Sequence, residues 1–279
     1  MSSLKIIDVG LKKYIEVLHL QEELFNKNIE AKLNNQPTEN YLILCEHQPV
    51  FTLGKSGKRE NILVSDEEMN AEFYKVNRGG DVTFHGPGQL VVYPILDLDS
   101  LQIGLAQYIF RLEETVIESL KEYGLNGERI EDAAGIWIKG NTKYEIRNTK
   151  CETRNTKYEI RNTKQEIPNT KYQIPNTKQE IRNTKYQIPN TKYEIRNTNE
   201  EINKVDRKIC AIGVKASRNI TMHGIAININ TDLSYFNKIL ACGLEGKETT
   251  SLQKELGKEI VMKDYKQLFL STFEKVYFG

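Results

Sequence analysis

Arg78-Gly79-Gly80-Asp81-Val82-Thr83-Phe84-His85-Gly86-Pro87-Gly88-Gln89 runs directly into Leu90-Val91-Val92-Tyr93-Pro94-Ile95-Leu96. Val82 and Phe84 flank Thr83 in the two-residue alternation of a strand, with glycines in the turn on either side. Turns without Cβ atoms let backbone amides approach a ligand closely. No Gly-Lys-Ser/Thr follows, so the block is not a P-loop, and it is not the GxGxxG that opens a dinucleotide-binding helix. Taken alone it reads equally as a tight hairpin or a binding loop. Arg78 and His85 at its mouth tilt the reading toward binding, since a fixed cation and an imidazole are costly as filler.

Working outward, Tyr14, Val17, Leu18, Leu24 and Phe25 form an apolar stripe at helical spacing. Tyr41–Cys45 reads as a short buried strand, and Leu90–Leu96 as another, which Pro94 places toward an edge or an irregularity. Leu105, Ile109, Leu112, Val116 and Leu120 predict an amphipathic helix stopped by Gly124. Ile225, Ile227 and Ile229 alternate with Ala226, Asn228 and Asn230, the period of a half-buried strand, and Tyr265, Leu268, Phe269 and Phe273 predict a closing helix. Strands mixed with separate helices, without regular βαβ alternation, predict an α+β fold: a single domain around a mixed β-sheet.

One tract stands apart. Asn-Thr-Lys recurs every seven residues from Asn141 to Asn190, and Asn197-Thr198-Asn199 closes the series. A coiled coil fails, because each unit offers one Ile and a Tyr or Gln two positions earlier, and Pro168, Pro175 and Pro189 interrupt any helix. An odd period also flips a strand's faces from copy to copy. With few apolar groups to offset ordering entropy, positions 141–204 predict a disordered low-complexity insertion in a domain that otherwise spans 1–279. The insertion separates Gly135–Lys139 from Lys208–Gly213, two apolar runs that read as a β-hairpin once it is set aside. Lengthening a surface turn adds loop entropy only slowly.

The formal net charge of +1 points to no nucleic-acid partner, but it averages two unlike parts. The tract holds nine Lys and five Arg against eight Glu, a balance of +6, which leaves −5 on the remaining chain. No run approaches a membrane span and the start lacks a signal-peptide pattern, so the expected location is cytoplasmic. Cys45, Cys151, Cys210 and Cys242 show no CxxC pairing and no zinc-ligand spacing with the four histidines, so neither metal nor cofactor is expected. Cys45 and Cys210 lie in apolar runs and read as small buried hydrophobes, and Cys151 occupies a variable slot of the repeat. Only Cys242, in Ala241-Cys242-Gly243-Leu244, has a loop-like, glycine-flanked setting.

The glycine-rich block, followed by Val91-Val92-Tyr93-Pro94, resembles the signature of the lipoyl(octanoyl) transferases, of the biotin and lipoate protein ligase fold superfamily. Glu46–Gly54, Lys208–Gly213, His223–Asn228 and Ala241–Leu244 match in order and spacing, so the likeness covers the chain except 141–204. It implies a biotin/lipoate protein ligase-like fold. It also implies transfer of an octanoyl group from octanoyl-acyl carrier protein to a lysine on lipoyl domains of 2-oxoacid dehydrogenases or the glycine cleavage H protein. By this resemblance Cys242 is the nucleophile and Lys208 its partner. The residue types suit the chemistry: thiolate attack on a thioester conserves the activated acyl group, and a nearby lysine favours thiolate or serves as base. Lys215 is a competing lysine. The same resemblance makes Arg78, Gly79, Gly80, Asp81, Val82, Thr83, Phe84 and His85 one wall of the substrate pocket. Ala211, Ile212, Gly213, Gly224, Ile225 and Ala226 supply small and aliphatic surface for the acyl chain, while His223 reads as structural or functional alike.

Two rivals remain at this level. A ligase of the same fold would activate its acid with ATP and needs no cysteine nucleophile. An inactive relative would have its catalytic hairpin splayed by the insertion.

Overall fold

The central predicted strands hand their side chains alternately to two different cores. The computed structural model describes residues 4–130, 133–140, 151–153, 156–158, 205–240 and 247–278. In chain order these hold β1 (Leu4–Lys12), α1 (Tyr14–Leu33), β2 (Asn40–His47), β3 (Val50–Leu53), α2 (Asp66–Met69), β4 (Glu72–Lys75), β5 (Val82–His85), β6 (Gln89–Ile95) and α3 (Leu105–Lys121). There follow β7 (Gly127–Ile130), β8 (Ala133–Ile138), β9 (Cys151–Thr153), β10 (Thr156–Tyr158), β11 (Arg207–Ser217), β12 (Ile220–Asn228), β13 (Glu248–Thr249), α4 (Leu252–Leu256) and α5 (Met262–Phe278). The chain divides into two units, residues 140–204 and the remainder. Within residues 140–204 the described part is the antiparallel pair β9–β10, with Thr156 opposite Thr153. The insertion's predicted disorder otherwise falls outside the described residues.

The larger unit is built on a mixed sheet in the order β1-β2-β6-β12-β11-β8-β7, with β13 added parallel to β11. β1 and β2 run parallel, and the other neighbours along the path are antiparallel. A second, three-stranded sheet has the order β4-β3-β5. On β2, Leu42 and Leu44 join the core shared with α3 and α5, while Tyr41, Ile43 and Cys45 join the core under α1. The same alternation continues on β6, with Leu90 and Val92 on one side and Val91, Tyr93 and Ile95 on the other. A buried side chain of this size stabilises by about 1.5–3 kcal/mol, so burying both faces concentrates stability in the central strands.

Of the predicted α1 stripe, Tyr14, Val17, Leu24 and Phe25 are buried and Leu18 is half-buried against the same core, while Gln21 and Asn28 join them from polar positions. Asn28 exchanges two hydrogen bonds with the Glu39 backbone, donating at 2.7 Å and accepting at 3.0 Å, which fixes α1 to the start of β2. The hairpin across the insertion is present, as β8 and β11 pair antiparallel with Lys208 opposite Trp137.

One sequence expectation narrows and another needs correction. Of the two readings of Pro94, an edge or an irregularity, the second holds, since β6 is central, flanked by β2 and β12. Pro94 is accommodated because regular pairing with β12 stops at Val92–Ile225. There the Thr221 hydroxyl donates to the Pro94 carbonyl (2.8 Å) and accepts from Leu96 N–H (3.0 Å). β12 is buried along its whole length and not half-buried, because α1 covers one face and α3 with α5 the other. Its small residues therefore mark close packing, not solvent. β5 falls on the predicted Val82–Phe84 strand, whereas β1, β3 and β4 carry patterns too short or too polar to have been read.

Candidate active site

β11 carries the predicted partner lysine, and strict alternation would put Lys208 on the face opposite Ala211 and Gly213. A register shift between Lys208 and Cys210 prevents this: Lys208 opposes Trp137 while Cys210 opposes the adjacent Ile136. The extra residue, Ile209, and its neighbour Cys210 both enter the α3–α5 core. The bulge thus changes the phase, and Lys208, Ala211 and Gly213 line one pocket. Gly135 on β8 makes room for it. Its φ is +118°, and a Cβ there would overlap the Cys210 carbonyl oxygen and lie 2.8 Å from Lys208 Cε. Lys208 is 8% exposed, with Nζ 4.9 Å from the centre of the Trp137 ring, and Lys247 Nζ lies 4.7 Å from the same centre.

The strand is clamped beside this lysine. Arg207 donates to both carboxylate oxygens of Glu255 (2.7 and 2.9 Å), and Thr250 Oγ1 donates to the same group at 2.7 Å. The Thr250 N–H donates to the Lys208 carbonyl at 2.9 Å. Burial pushes the Glu255 carboxyl up, but the hydrogen bonds from Arg207 and Thr250 and the Arg207 charge outweigh it, leaving the group below its usual range. Lys215 lies elsewhere, with Nζ 4.8 Å from the Phe25 ring of α1, and does not line the pocket.

The glycine-rich block folds over the pocket. Arg78 is held by its own loop and by β3, donating to Gly79 O (2.9 Å), Thr52 O (2.8 Å) and Thr52 Oγ1 (3.0 Å). Gly213 has a structural reason beyond presenting a small surface. A Cβ there would come 2.9 Å from Gly79 O and 3.1 Å from Arg78 Cδ, so the loop rests directly on β11. Gly79 donates to Val214 O at 3.0 Å and packs against that strand without lining the pocket. Arg78, Gly80, Asp81, Val82, Thr83 and His85 do line it, as do Ile212, Gly224, Ile225 and Ala226. Phe84 points away into a separate core, stacked on Tyr235 at 4.3 Å.

Sequence reading missed a buried polar chain at the back of this pocket. Asn228 Nδ2 donates to Thr250 O (3.0 Å), so its Oδ1 is the acceptor for Gln89 Nε2 (2.9 Å). Gln89 Oε1 must then accept, which places a proton on His85 Nδ1 (2.7 Å). His85 Nε2 faces Thr52 Oγ1 at 3.5 Å. Burial, helped by His47, Arg78 and His223, lowers His85 to about 3 against the opposing bond from Gln89. It is therefore a neutral imidazole near pH 7.

His47 is likewise neutral, its Nε2 2.8 Å from the Tyr93 hydroxyl and its Nδ1 3.2 Å from Lys12 O, with burial lowering it to about 4. His223 has φ +60°, its N–H donates to Gln21 Oε1 at 3.1 Å, and burial first, then Arg78 and Lys215, lowers it to about 3. Gln89 and Tyr93 stood in the glycine-rich signature, His47 and Asn228 in matched stretches and Tyr14 in the α1 stripe, but none of the five was assigned to the site.

Cys242, with residues 241–246, lies outside the described residues. Phe236 and Thr249, on either side of it in sequence, both line the pocket. The two thiols that are described, Cys45 and Cys210, are wholly buried, and burial pushes both well above the usual thiol range.

Residues 13–274 match the lipoyl protein ligase A/B catalytic domain. The chain is 37% identical over 283 residues to an octanoyltransferase of Christiangramia forsetii, covering 98% of this chain and 95% of that protein. It is 37% identical over 280 residues to an octanoyltransferase of Parabacteroides distasonis, covering 98% and 100%. The crystal structure of P. falciparum LipL1 in complex with lipoate is similar at a TM-score of 0.55 and 13% identity, covering 99% of this chain and 62% of that one, a likeness of fold alone. With the match spanning nearly the whole chain and both relatives aligned almost end to end, this protein belongs to the lipoyl protein ligase A/B catalytic-domain family, alongside the octanoyltransferases.

Proposed function

We propose that this chain is an octanoyltransferase of protein lipoylation, moving an octanoyl group from octanoyl-acyl carrier protein to a lysine of a lipoyl domain. The acceptors are lipoyl domains of 2-oxoacid dehydrogenases and the glycine cleavage H protein. Its nearly full-length relatives bear the octanoyltransferase name, and the observation that carries the mechanism is the bulge that turns Lys208 into the pocket. The remaining substrate contacts expected from the glycine-rich block and from Ala211–Gly213 and Gly224–Ala226 belong to this proposal, and so does a cytoplasmic site of action.

In the first half-reaction the Cys242 thiolate attacks the octanoyl thioester carbonyl. The carbon–sulfur bond to the carrier breaks, and the carrier thiolate takes up the proton that Cys242 gave to Lys208. In the second, Lys208 accepts a proton from the acceptor lysine's ammonium. The neutral amine attacks the acyl-enzyme, and the carbon–sulfur bond to Cys242 breaks. The released thiolate takes the proton that the amine loses on becoming an amide, and Lys208 gives its proton to solvent. Trp137 and Gly135 hold the Lys208 stem, and the Arg207–Glu255 clamp holds its strand. No step calls for a metal or cofactor.

Intact-protein mass spectrometry after mixing with octanoyl-acyl carrier protein, without ATP, tests the scheme. The expected result is a hydroxylamine-labile octanoyl adduct that maps to Cys242 and discharges onto a lipoyl domain. Cys242→Ala abolishes adduct and transfer, and Lys208→Ala leaves a folded protein with severely reduced transfer. Octanoylation that requires ATP and leaves no adduct refutes the scheme in favour of a ligase.

A further inference from the structure

Resting on the octanoyl-transfer reading, we infer that Val91, Tyr93 and Tyr14 close the far end of the acyl pocket and set the length of the chain it accepts. Ala211 pairs with Ala226, and Ala226 with Val91, so these three side chains form a straight row across β11, β12 and β6. All three line the pocket, and paired residues share a face of the sheet. Two interstrand spacings separate the row's ends, about 9.6 Å at ~4.8 Å each. An extended octanoyl group spans about 9 Å from carbonyl to methyl, its seven ~1.5 Å bonds each advancing about 1.3 Å.

The row slopes from low to high. Two alanine methyls form a trough, and Val91 is its taller end. Beyond Val91, on β2, its partner Cys45 is wholly buried and does not line the pocket, so the cavity stops there. Tyr93, two residues along the same face, and Tyr14 from the start of α1 stand over that end. Both rings are braced. The Tyr93 hydroxyl meets His47 Nε2 at 2.8 Å, and Tyr14 stacks on His85 with centroids 6.2 Å apart and the planes 3° from parallel. It also meets the His47 ring edge-on at 5.2 Å. Lys208 and Thr249 line the β11 side, where the reacting carbonyl belongs. A chain two carbons longer would press its end into Val91 and the braced tyrosines, and a shorter one would leave trough surface uncovered.

The test is kcat/KM for hexanoyl-, octanoyl- and decanoyl-acyl carrier protein as donors to a lipoyl domain, for the wild type, Val91→Ala and Ala226→Val. The wild type is expected to favour octanoyl. Opening the end wall in Val91→Ala should raise the decanoyl-to-octanoyl ratio at least about tenfold, the scale on which pockets discriminate methylenes. Filling the trough in Ala226→Val should raise the hexanoyl-to-octanoyl ratio by a similar factor. Because the shifts run in opposite directions, a general loss of packing cannot imitate them, and either variant alone decides if the other does not fold. Ratios unchanged from wild type, or a uniform fall across all three donors, overturn the inference. A wild type that transfers none of the three chains overturns the octanoyl-transfer reading itself.

Discussion

Replacing Gly135 with alanine tests the arrangement that presents Lys208. The glycine sits at φ +118°, a conformation that residues with a Cβ rarely adopt, and a new Cβ would overlap the Cys210 carbonyl while lying 2.8 Å from Lys208 Cε. Neither the backbone angle nor the carbonyl can shift freely, because β11 is paired with β12 on its other side. Strained backbone costs about 1–3 kcal/mol and overpacking about the same, so Gly135→Ala should lose roughly 2–6 kcal/mol. Against a typical total of about 5–15 kcal/mol this is large but survivable. With a urea slope of about 2 kcal/mol/M, a 4 kcal/mol loss lowers the midpoint by about 2 M. Urea unfolding followed by circular dichroism gives the stability, and octanoyl transfer in buffer gives the rate. The rate should fall further than the folded fraction accounts for, since relieving the overlap displaces the Lys208 stem. Gly104→Ala is the control, with open space around its Cβ, and should cost less than about 1 kcal/mol. If Gly135→Ala is as stable as that control and transfers normally, the register of β8 against β11 is wrong, and with it the orientation of Lys208.

Arg207→Ala should destabilise by about 1–3 kcal/mol at pH 7, because it leaves the partly buried Glu255 carboxylate without its cation. Glu255 is held below its usual range in the wild type, so its contribution is present above about pH 4.3 and lost as pH falls through the lowered value. The penalty of the variant should accordingly shrink below about pH 4.3, and a penalty as large at about pH 2.5 as at pH 7 contradicts the clamp. The buried histidines act at higher pH. His47, His85 and His223 are lowered to about 4, 3 and 3, so the unfolded chain binds protons near pH 6.5 that the folded chain refuses. Stability is then full above about pH 6.5 and falls as the pH drops toward 4, by at most about 2 kcal/mol per histidine at pH 5. His47→Gln should flatten the slope by about one proton in urea titrations at pH 5 to 7, and an unchanged slope would place the pH dependence elsewhere.

Much of this molecule is determined by local sequence. The α1 stripe, the α3 and α5 faces and the alternation on β6 and β12 announce their elements, because side-chain period is a property of a few neighbouring residues. The β8–β11 pairing was legible too, once the repeat tract between the two runs was set aside. Tertiary structure decided what depends on partners distant in the chain. Pro94 reads as either an edge or an irregularity, and the choice fell to the irregularity of a central strand because a threonine 127 positions away satisfies the ladder around it. β12 reads as half-buried, but helices from distant parts of the chain cover both its faces. Gly213 reads as pocket surface, and its close contact with Gly79 and Arg78 emerges only when the loop meets β11. Lys208 makes the point most directly. Its motif is visible in the chain, but residue parity points it away from Ala211, and only the bulge against β8 turns it into the pocket. A strand's period is local, whereas its phase is settled by the strand beside it.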